Sequence, residues 1–134
     1  MSEHDLVQEW LEIALEDVES AEYLLGKPYR KPLEIICYHC QQSAEKSLKG
    51  YLQARGEDVP ITHEVGLLCA HCAAFEPAFT EHLDACNDLT LYATKTRYPS
   101  RLELAEQDAV RAIRRAKEIY ELAEKLCAVL GPNE

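Results

Sequence analysis

Residues 37–49 read CYHCQQSAEKSLK, and this stretch decides the fold. At about 100° per residue, the small or apolar side chains in and around it gather on one side of a helix: Leu33, Ile36, Cys37, Cys40, Ala44, Ser47, Leu48 and Tyr51. Polar side chains gather on the opposite side: His39, Gln42, Lys46 and Lys49. The pattern predicts an amphipathic helix from Pro32 to about Gly56, with Gly50 inside it as a point of close packing.

A first helix is predicted upstream, where apolar residues recur at helical spacing. Its inward stripe is Leu6, Trp10, Ile13, Ala14, Val18, Ala21 and Leu24. Ser2 or Asp5 suits its N-cap, because both side chains accept hydrogen bonds from free backbone amides. Gly26, followed by Pro28, ends this helix, and a short basic loop leads to the second one.

Downstream, the same periodicity predicts three more helices. They run from an N-cap at Thr62 to Ala74, from Pro77 to about Ala93, and from about Leu102 to Leu130. No segment alternates between apolar and polar residues as a strand does. Because short connections favour antiparallel neighbours, the sequence predicts a single all-α domain over residues 1–134, an antiparallel four- to five-helix bundle.

Composition indicates a folded protein and constrains its partners. Hydrophobic residues make up 47% of the 134 residues and charged residues 28%, which disfavours disorder. No apolar run approaches the roughly 20 residues of a membrane span, and the N-terminus lacks a secretion signal, so we expect a cytoplasmic protein without membrane contact. The net charge of −10 opposes non-specific binding to nucleic acid.

Two Cys-x-x-Cys pairs raise the question of a metal site: Cys37 with Cys40, and Cys69 with Cys72. Paired thiolates are typical zinc ligands, but the gap between these pairs exceeds the usual spacing. Both pairs also lie on the apolar stripes of helices, where free cysteine commonly serves as a small core residue. Core packing is therefore the favoured interpretation, and a metal site at the four cysteines is the weaker alternative. We expect no cofactor.

The polar face formed by His39, Gln42, Lys46 and Lys49 is the main candidate binding surface. Its hydrogen-bond donors and positive charge suit a phosphate group or the edge of a base. The alternative is a face that meets only solvent, which the favourable four-residue spacing of Glu45 and Lys49 supports.

A second basic cluster lies on the last predicted helix: Arg111, Arg114, Arg115 and Lys117. Acidic residues surround it: Glu103, Glu106, Asp108, Glu118 and Glu121. Ion pairing along the helix therefore explains this cluster better than nucleic-acid binding does. The sequence contains no P-loop, dinucleotide-binding, nucleophile-elbow or zinc-protease motif.

The run from Cys37 to Lys49 resembles the second-helix signature of HEPN domains, which shows an aromatic residue, a histidine, paired glutamines and then Glu-Lys-x-Leu-Lys. Three further features stand in the order typical of that family: Trp10 with Ala14, Pro60-x-Thr62-His63, and Arg97-Tyr98-Pro99. The resemblance covers nearly the whole chain. It implies a bundle of four to five helices and a homodimer.

HEPN proteins fall into two functional groups, and the resemblance points to the second. The first group comprises metal-independent ribonucleases and toxins, in which an arginine is followed after four to six residues by a histidine near the last helix. In this chain no histidine follows Arg97 or Arg101, and Arg55 is separated from His63 by seven residues in another region. Without that acid–base group, we expect no enzymatic activity.

The second group is associated with minimal nucleotidyltransferases or with nucleotide binding, in modules of the toxin–antitoxin kind. The resemblance thus implies a non-catalytic partner of a minimal nucleotidyltransferase that binds a nucleotide or that enzyme's substrate. The candidate surface is the polar face together with Arg97 and Tyr98. Two alternatives stay open: a ribonuclease toxin with an atypical site, and a structural module whose polar face is a dimer interface.

Overall fold

A computed structural model describes residues 2–28, 30–94 and 103–131 of the chain. It contains five α-helices: α1 Glu3–Leu25, α2 Leu33–Ala54, α3 Val65–Phe75, α4 Leu83–Thr94 and α5 Glu106–Leu130. A short 3-10 helix, Pro77–His82, precedes α4. Within the described ranges there is no strand, and the all-α prediction is confirmed.

Helix α1 begins and ends where the sequence predicts. The Ser2 hydroxyl accepts a hydrogen bond from the backbone N–H of Asp5, and the Asp5 carboxylate accepts one from the backbone N–H of Ser2, both at 3.1 Å. A reciprocal cap of this kind stabilises a helix by about 1 kcal/mol. At the other end, the Lys31 ammonium donates to the carbonyl of Leu25 at 2.6 Å and also to that of Lys27. The basic loop therefore satisfies carbonyls that the helix leaves free.

The buried stripe of α1 differs from the predicted one. It consists of Val7, Leu11, Ala14, Val18 and Ala21, which follow strict three- and four-residue spacing. Ile13 is 37% exposed, and Leu6, Trp10 and Leu24 are half-buried. The prediction was therefore right at Ala14, Val18 and Ala21, but in the first turns of α1 it lay one residue away from the buried Val7 and Leu11. The buried side of the helix contacts α2 and α5.

Helices α1 and α2 run antiparallel and pack closely. Glu3 contacts Gln53 at one end of the pair, while Asp17 contacts His39 at the other. Between these ends, the Ser43 hydroxyl donates to the carbonyl of Ala14 at 2.7 Å.

Helix α2 is the central helix of the bundle, and this overturns one prediction. It contacts α1, α3, α4 and α5, so its buried residues extend all round it and include five polar ones: Gln41, Ser43, Glu45, Ser47 and Lys49. The predicted division into a core face and a polar face was therefore wrong at Lys49, whose side chain is only 7% exposed. A central helix has little free surface, and periodicity alone does not indicate how many neighbours a helix has.

The starts of α3 and α5 lie later than predicted. Thr62 does not cap α3; its hydroxyl accepts a hydrogen bond from the backbone N–H of Glu64 at 3.1 Å inside the connection, and α3 begins at Val65. Helix α5 begins at Glu106, where the Asp108 carboxylate accepts from the backbone N–H of Ala105 at 2.8 Å. In both cases a local side-chain bond keeps the preceding residues out of the helix.

Helix length and hydropathy also bear on membrane insertion. Among the described residues, no helix combines the length and the hydrophobicity needed to cross a membrane.

Candidate functional site

The polar residues of α2 form a hydrogen-bonded group with one residue of the α2–α3 connection. We call it the α2 network: Gln41, Gln42, Glu45, Lys46, Lys49 and His63. Glu45 lies at its centre, with a side chain only 1% exposed. Its carboxylate accepts from Lys49 Nζ at 3.0 Å, from Gln41 Nε2 at 3.1 Å and from the His63 ring. Three donors thus satisfy one buried carboxylate.

The protonation state of Glu45 follows from these partners. Burial raises the pKa of Glu45. The hydrogen bond and charge of Lys49, the charge of Lys46 and the hydrogen bond from His63 together lower it by more, so the pKa lies below the usual value. The carboxylate is therefore ionised at neutral pH and accepts hydrogen bonds without donating any.

A chain of amides connects this buried charge to the surface. Gln41 Nε2 donates to both Glu45 and the backbone carbonyl of His63, each at 3.1 Å. Gln42 Nε2 donates to Gln41 Oε1 at 2.8 Å, and Lys46 Nζ donates to Gln42 Oε1 at 2.7 Å. Gln42 and Lys46 are half-buried, so part of each side chain reaches the surface.

Lys49 is held on the inside of this network. Its ammonium lies 5.9 Å from the centre of the Trp10 ring, a cation–π distance, as well as 3.0 Å from Glu45. The predicted ion pair of Glu45 and Lys49 is confirmed, but it is buried and not solvated. Lys49 therefore acts as the counter-charge of Glu45, and its ammonium does not face the surface.

His39 lies apart from the α2 network, against α1. Its Nδ1 is 3.0 Å from the Asp17 carboxylate, and its side chain is 30% exposed. It borders an open groove whose other lining residues are Glu16, Glu19, Ser20, Tyr23 and Leu24. Three carboxylates near one imidazole oppose a phosphate ligand. The structure thus pairs His39 with Asp17 of α1, whereas Gln42 and Lys46, with which the helical spacing had grouped it, bond within the α2 network.

His63, Gln41 and Glu45 belong to the candidate site although the sequence analysis did not select them as binding residues. The Pro60-x-Thr62-His63 feature marked the position of His63, but nothing in the sequence indicates that it lies against α2. Arg97 and Tyr98, which the prediction also placed at the site, lie outside the described residues.

The cysteines of the two Cys-x-x-Cys pairs are buried and free: Cys37, Cys40, Cys69 and Cys72. Burial raises the pKa of Cys37 to about 11. The Cys69 thiol donates to the carbonyl of Phe79 at 3.4 Å, and the Cys72 thiol donates to the carbonyl of Leu48 at 3.6 Å. In the part of the chain that the structure describes, no three His, Cys, Asp or Glu side chains come together in a way that could hold a metal ion. The four thiols therefore do not form the cluster that the metal alternative requires.

Three of the four basic residues of this cluster form ion pairs, one along α5 as predicted and two with residues of other helices. Arg111 contacts Asp108 at 3.3 Å on the same helix. Arg115 contacts Asp88 of α4 at 2.7 Å, and Lys117 contacts Glu22 of α1 at 3.0 Å. These pairs join α5 to the rest of the bundle.

Comparison with known proteins agrees with the resemblance noted in the sequence. The HEPN domain model matches residues 7–126. The crystal structure of ST0689, an archaeal HEPN homologue, shares 30% sequence identity with a TM-score of 0.71, covering 90% of this chain and 97% of that one. TT1696 from Thermus thermophilus shares 27% identity with a TM-score of 0.77 over the same proportions.

None of the curated proteins compared with the sequence matches it significantly. The HEPN match, however, extends from α1 into α5, and both structural neighbours superpose over most of their own length. The chain therefore belongs to the HEPN family.

Proposed function

We propose that this chain is a non-catalytic HEPN protein that binds a nucleotide and docks a minimal nucleotidyltransferase. The observation that carries the proposal is the missing ribonuclease pair. No histidine follows Arg97 or Arg101 anywhere in the 134 residues, so the arginine-to-histidine spacing that marks the ribonuclease group of the family is absent.

The α2 network supports a binding role at a defined place. Its outer edge presents the amide of Gln42, the ammonium of Lys46 and the imidazole of His63, three groups that donate hydrogen bonds to phosphate or to a base edge. In this proposal His63 replaces Lys49 on the binding surface predicted from the sequence, because Lys49 is buried against Glu45. Arg97 and Tyr98 stay part of the proposed surface on the strength of the family feature alone.

Two further parts of the proposal concern assembly. We infer a homodimer, which the family resemblance implies, and a module of the toxin–antitoxin kind in which the nucleotidyltransferase is the partner protein. Finding a short nucleotidyltransferase encoded in the reading frame next to this one would support the pairing.

Calorimetric titration tests the proposal directly. We expect the wild-type protein to bind ATP or GTP, or the purified product of the neighbouring reading frame, and Lys46→Ala to weaken that binding. The matched control is Lys125→Ala, a change at an exposed lysine of α5, which should leave it unchanged. An absence of binding to all three probes contradicts the proposal.

One observation favours a second candidate, a ribonuclease with an atypical site. Glu45 and His63 form a carboxylate–imidazole pair at 3.1 Å, an arrangement that many enzymes use for proton transfer. Incubation of total RNA with the purified protein tests it. If the wild type cleaves RNA and His63→Asn does not, the ribonuclease hypothesis is supported over the binding proposal. If the RNA stays intact, the ribonuclease hypothesis is rejected.

A further inference from the structure

One ring nitrogen of His63 forms a hydrogen bond to the buried carboxylate of Glu45, and most of the rest of the ring is exposed to solvent. Its Nδ1 lies 3.2 and 3.1 Å from the two carboxylate oxygens of Glu45, which is almost completely buried. Nevertheless, 72% of the His63 side chain is exposed. The edge that carries Nε2 is therefore the edge that faces solvent.

The charge on Glu45 determines which nitrogen of His63 carries a proton. An ionised carboxylate only accepts hydrogen bonds, so Nδ1 donates and keeps its proton. Nε2 is then the nitrogen on the solvent-facing edge of the ring. A carboxylate that holds the inner nitrogen in this way fixes both the tautomer and the ring orientation of a functional histidine. Glu45 is thus a positioning residue for His63.

The main chain at His63 is held as well. Its backbone carbonyl accepts a hydrogen bond from Gln41 Nε2 at 3.1 Å, and the Thr62 hydroxyl accepts one from the N–H of Glu64. An exposed group that is already fixed in place loses little conformational freedom when a ligand binds. The imidazole is therefore pre-organised for binding a ligand.

The charges of the network favour an anion at Nε2. The network contains one carboxylate, Glu45, against the ammonium groups of Lys46 and Lys49, and protonation of His63 adds a further positive charge. Lys46 is connected to the His63 carbonyl by the bonds through Gln42 and Gln41. His39, by contrast, lies among carboxylates of α1.

We propose that His63 is the residue that contacts the phosphate of the bound nucleotide. The protonated imidazole donates Nε2–H to a phosphate oxygen while Nδ1–H stays hydrogen-bonded to Glu45. Lys46, which is joined to His63 through Gln42 and Gln41, supplies a second positive charge. This assignment rests on the nucleotide binding proposed above and names the part of the nucleotide that the α2 network recognises.

The test is calorimetric titration of ATP into the wild type and His63→Asn. An asparagine amide lies near the position of Nδ1, so this variant keeps a donor to Glu45 and removes Nε2. We expect binding about 10- to 100-fold weaker, the usual loss for a hydrogen bond to a charged group. The matched control is His39→Asn, which keeps a donor near Asp17 and should bind ATP as the wild type does.

The possible outcomes separate this inference from the proposed function. If the wild type binds neither ATP nor GTP, the proposed nucleotide binding fails and the inference fails with it. If the wild type binds ATP and His63→Asn binds it equally well, the assignment of His63 alone is overturned. A neutral His63 that carries its proton on Nε2 in long-range ¹H–¹⁵N spectra also overturns the positioning role of Glu45.

Discussion

Glu45 is the residue on which the α2 network depends. A buried charge is costly unless it is paired and hydrogen-bonded, and Glu45 obtains its counter-charge from Lys49 at 3.0 Å. Lys46, in contrast, bonds to the neutral amide of Gln42. The two lysines lie one helical turn apart on α2, yet Lys49 is the buried counter-charge of Glu45 and Lys46 is only half-buried.

The first prediction concerns the removal of this counter-charge. Lys49→Met keeps the length of the side chain and leaves the Glu45 carboxylate buried without its ion-pair partner. We expect the free energy of unfolding to fall by about 3 kcal/mol, a usual cost of breaking a buried pair. Urea unfolding measures it. The matched control is Lys46→Met, which should stay within about 1 kcal/mol of the wild type; equal effects of the two changes contradict the distinction.

The second prediction concerns acid. Although burial raises the pKa of Glu45, the hydrogen bond and charge of Lys49 bring it below the usual value, which is about 4.3. The unfolded chain therefore takes up this proton at higher pH than the folded protein. The stabilisation is complete above about pH 4.3 and is lost as pH falls through the folded-state pKa.

Urea unfolding of the wild type and Glu45→Gln, from neutral pH to about pH 3, checks this sign. The stability advantage of the wild type over Glu45→Gln should shrink as the pH falls. An advantage that stays constant over the range shows that Glu45 has the same pKa in both states.

At the scale of helices, the close contact of α1 and α2 depends on a glycine. A Cβ atom added at Gly50 would lie 3.1 Å from the Cβ of Trp10 and 3.5 Å from a methyl carbon of Leu11. The Trp10 Cβ is attached directly to the backbone of α1, so it moves only if the helix moves. The spacing of the two helices is therefore set at this residue.

The third prediction follows from that contact. Gly50→Ala gains up to about 1 kcal/mol from helix propensity but overpacks the contact, which costs about 1–3 kcal/mol. We expect a net loss of stability and a lower Tm. In the control Gly26→Ala, the added Cβ meets only backbone oxygens at 3.4 Å or more, so stability should stay the same or rise. A rise in Tm for Gly50→Ala would contradict this prediction, because it would mean that α1 and α2 move apart to admit the added methyl group at little cost in free energy.

How much the sequence predicts also differs from helix to helix. The ends of α1 were predictable because Ser2, Asp5 and Gly26 are strong local signals. The start of α3 was not, because the Thr62 hydroxyl bonds within the connection instead of capping the helix.

The candidate site was predictable only in part, for a related reason. The spacing on α2 identified Gln42 and Lys46, but the burial of Lys49 depends on neighbours that lie far away in sequence, such as Trp10. The contact of His63 with Glu45 joins residues 18 positions apart. Local periodicity carries no information about such contacts, although it predicts the helices that make them.

At the scale of the whole molecule, charge is distributed unevenly. Helix α1 contains aspartate and glutamate but neither lysine nor arginine. Its Glu22 forms an ion pair with Lys117 of α5. The α2 network, with two lysines and one carboxylate, is a local exception in a chain of net charge −10. An anionic ligand, or a second copy of the chain, therefore approaches this surface against a repulsive field that salt screens.

The last prediction decides whether the outer edge of the α2 network binds a ligand or forms the proposed dimer interface. Lys46→Glu reverses the one lysine of the network whose ammonium bonds to the outer amide of Gln42. If the edge binds nucleotide, the variant keeps the oligomeric mass of the wild type in light scattering but loses ATP binding, since an added carboxylate repels phosphate. If the edge is the dimer interface, two such charges face each other across the symmetry axis and the mass falls to that of a monomer. Lys125→Glu on the exposed side of α5 controls for net charge and should change neither quantity; a wild type that is already monomeric contradicts the inferred homodimer.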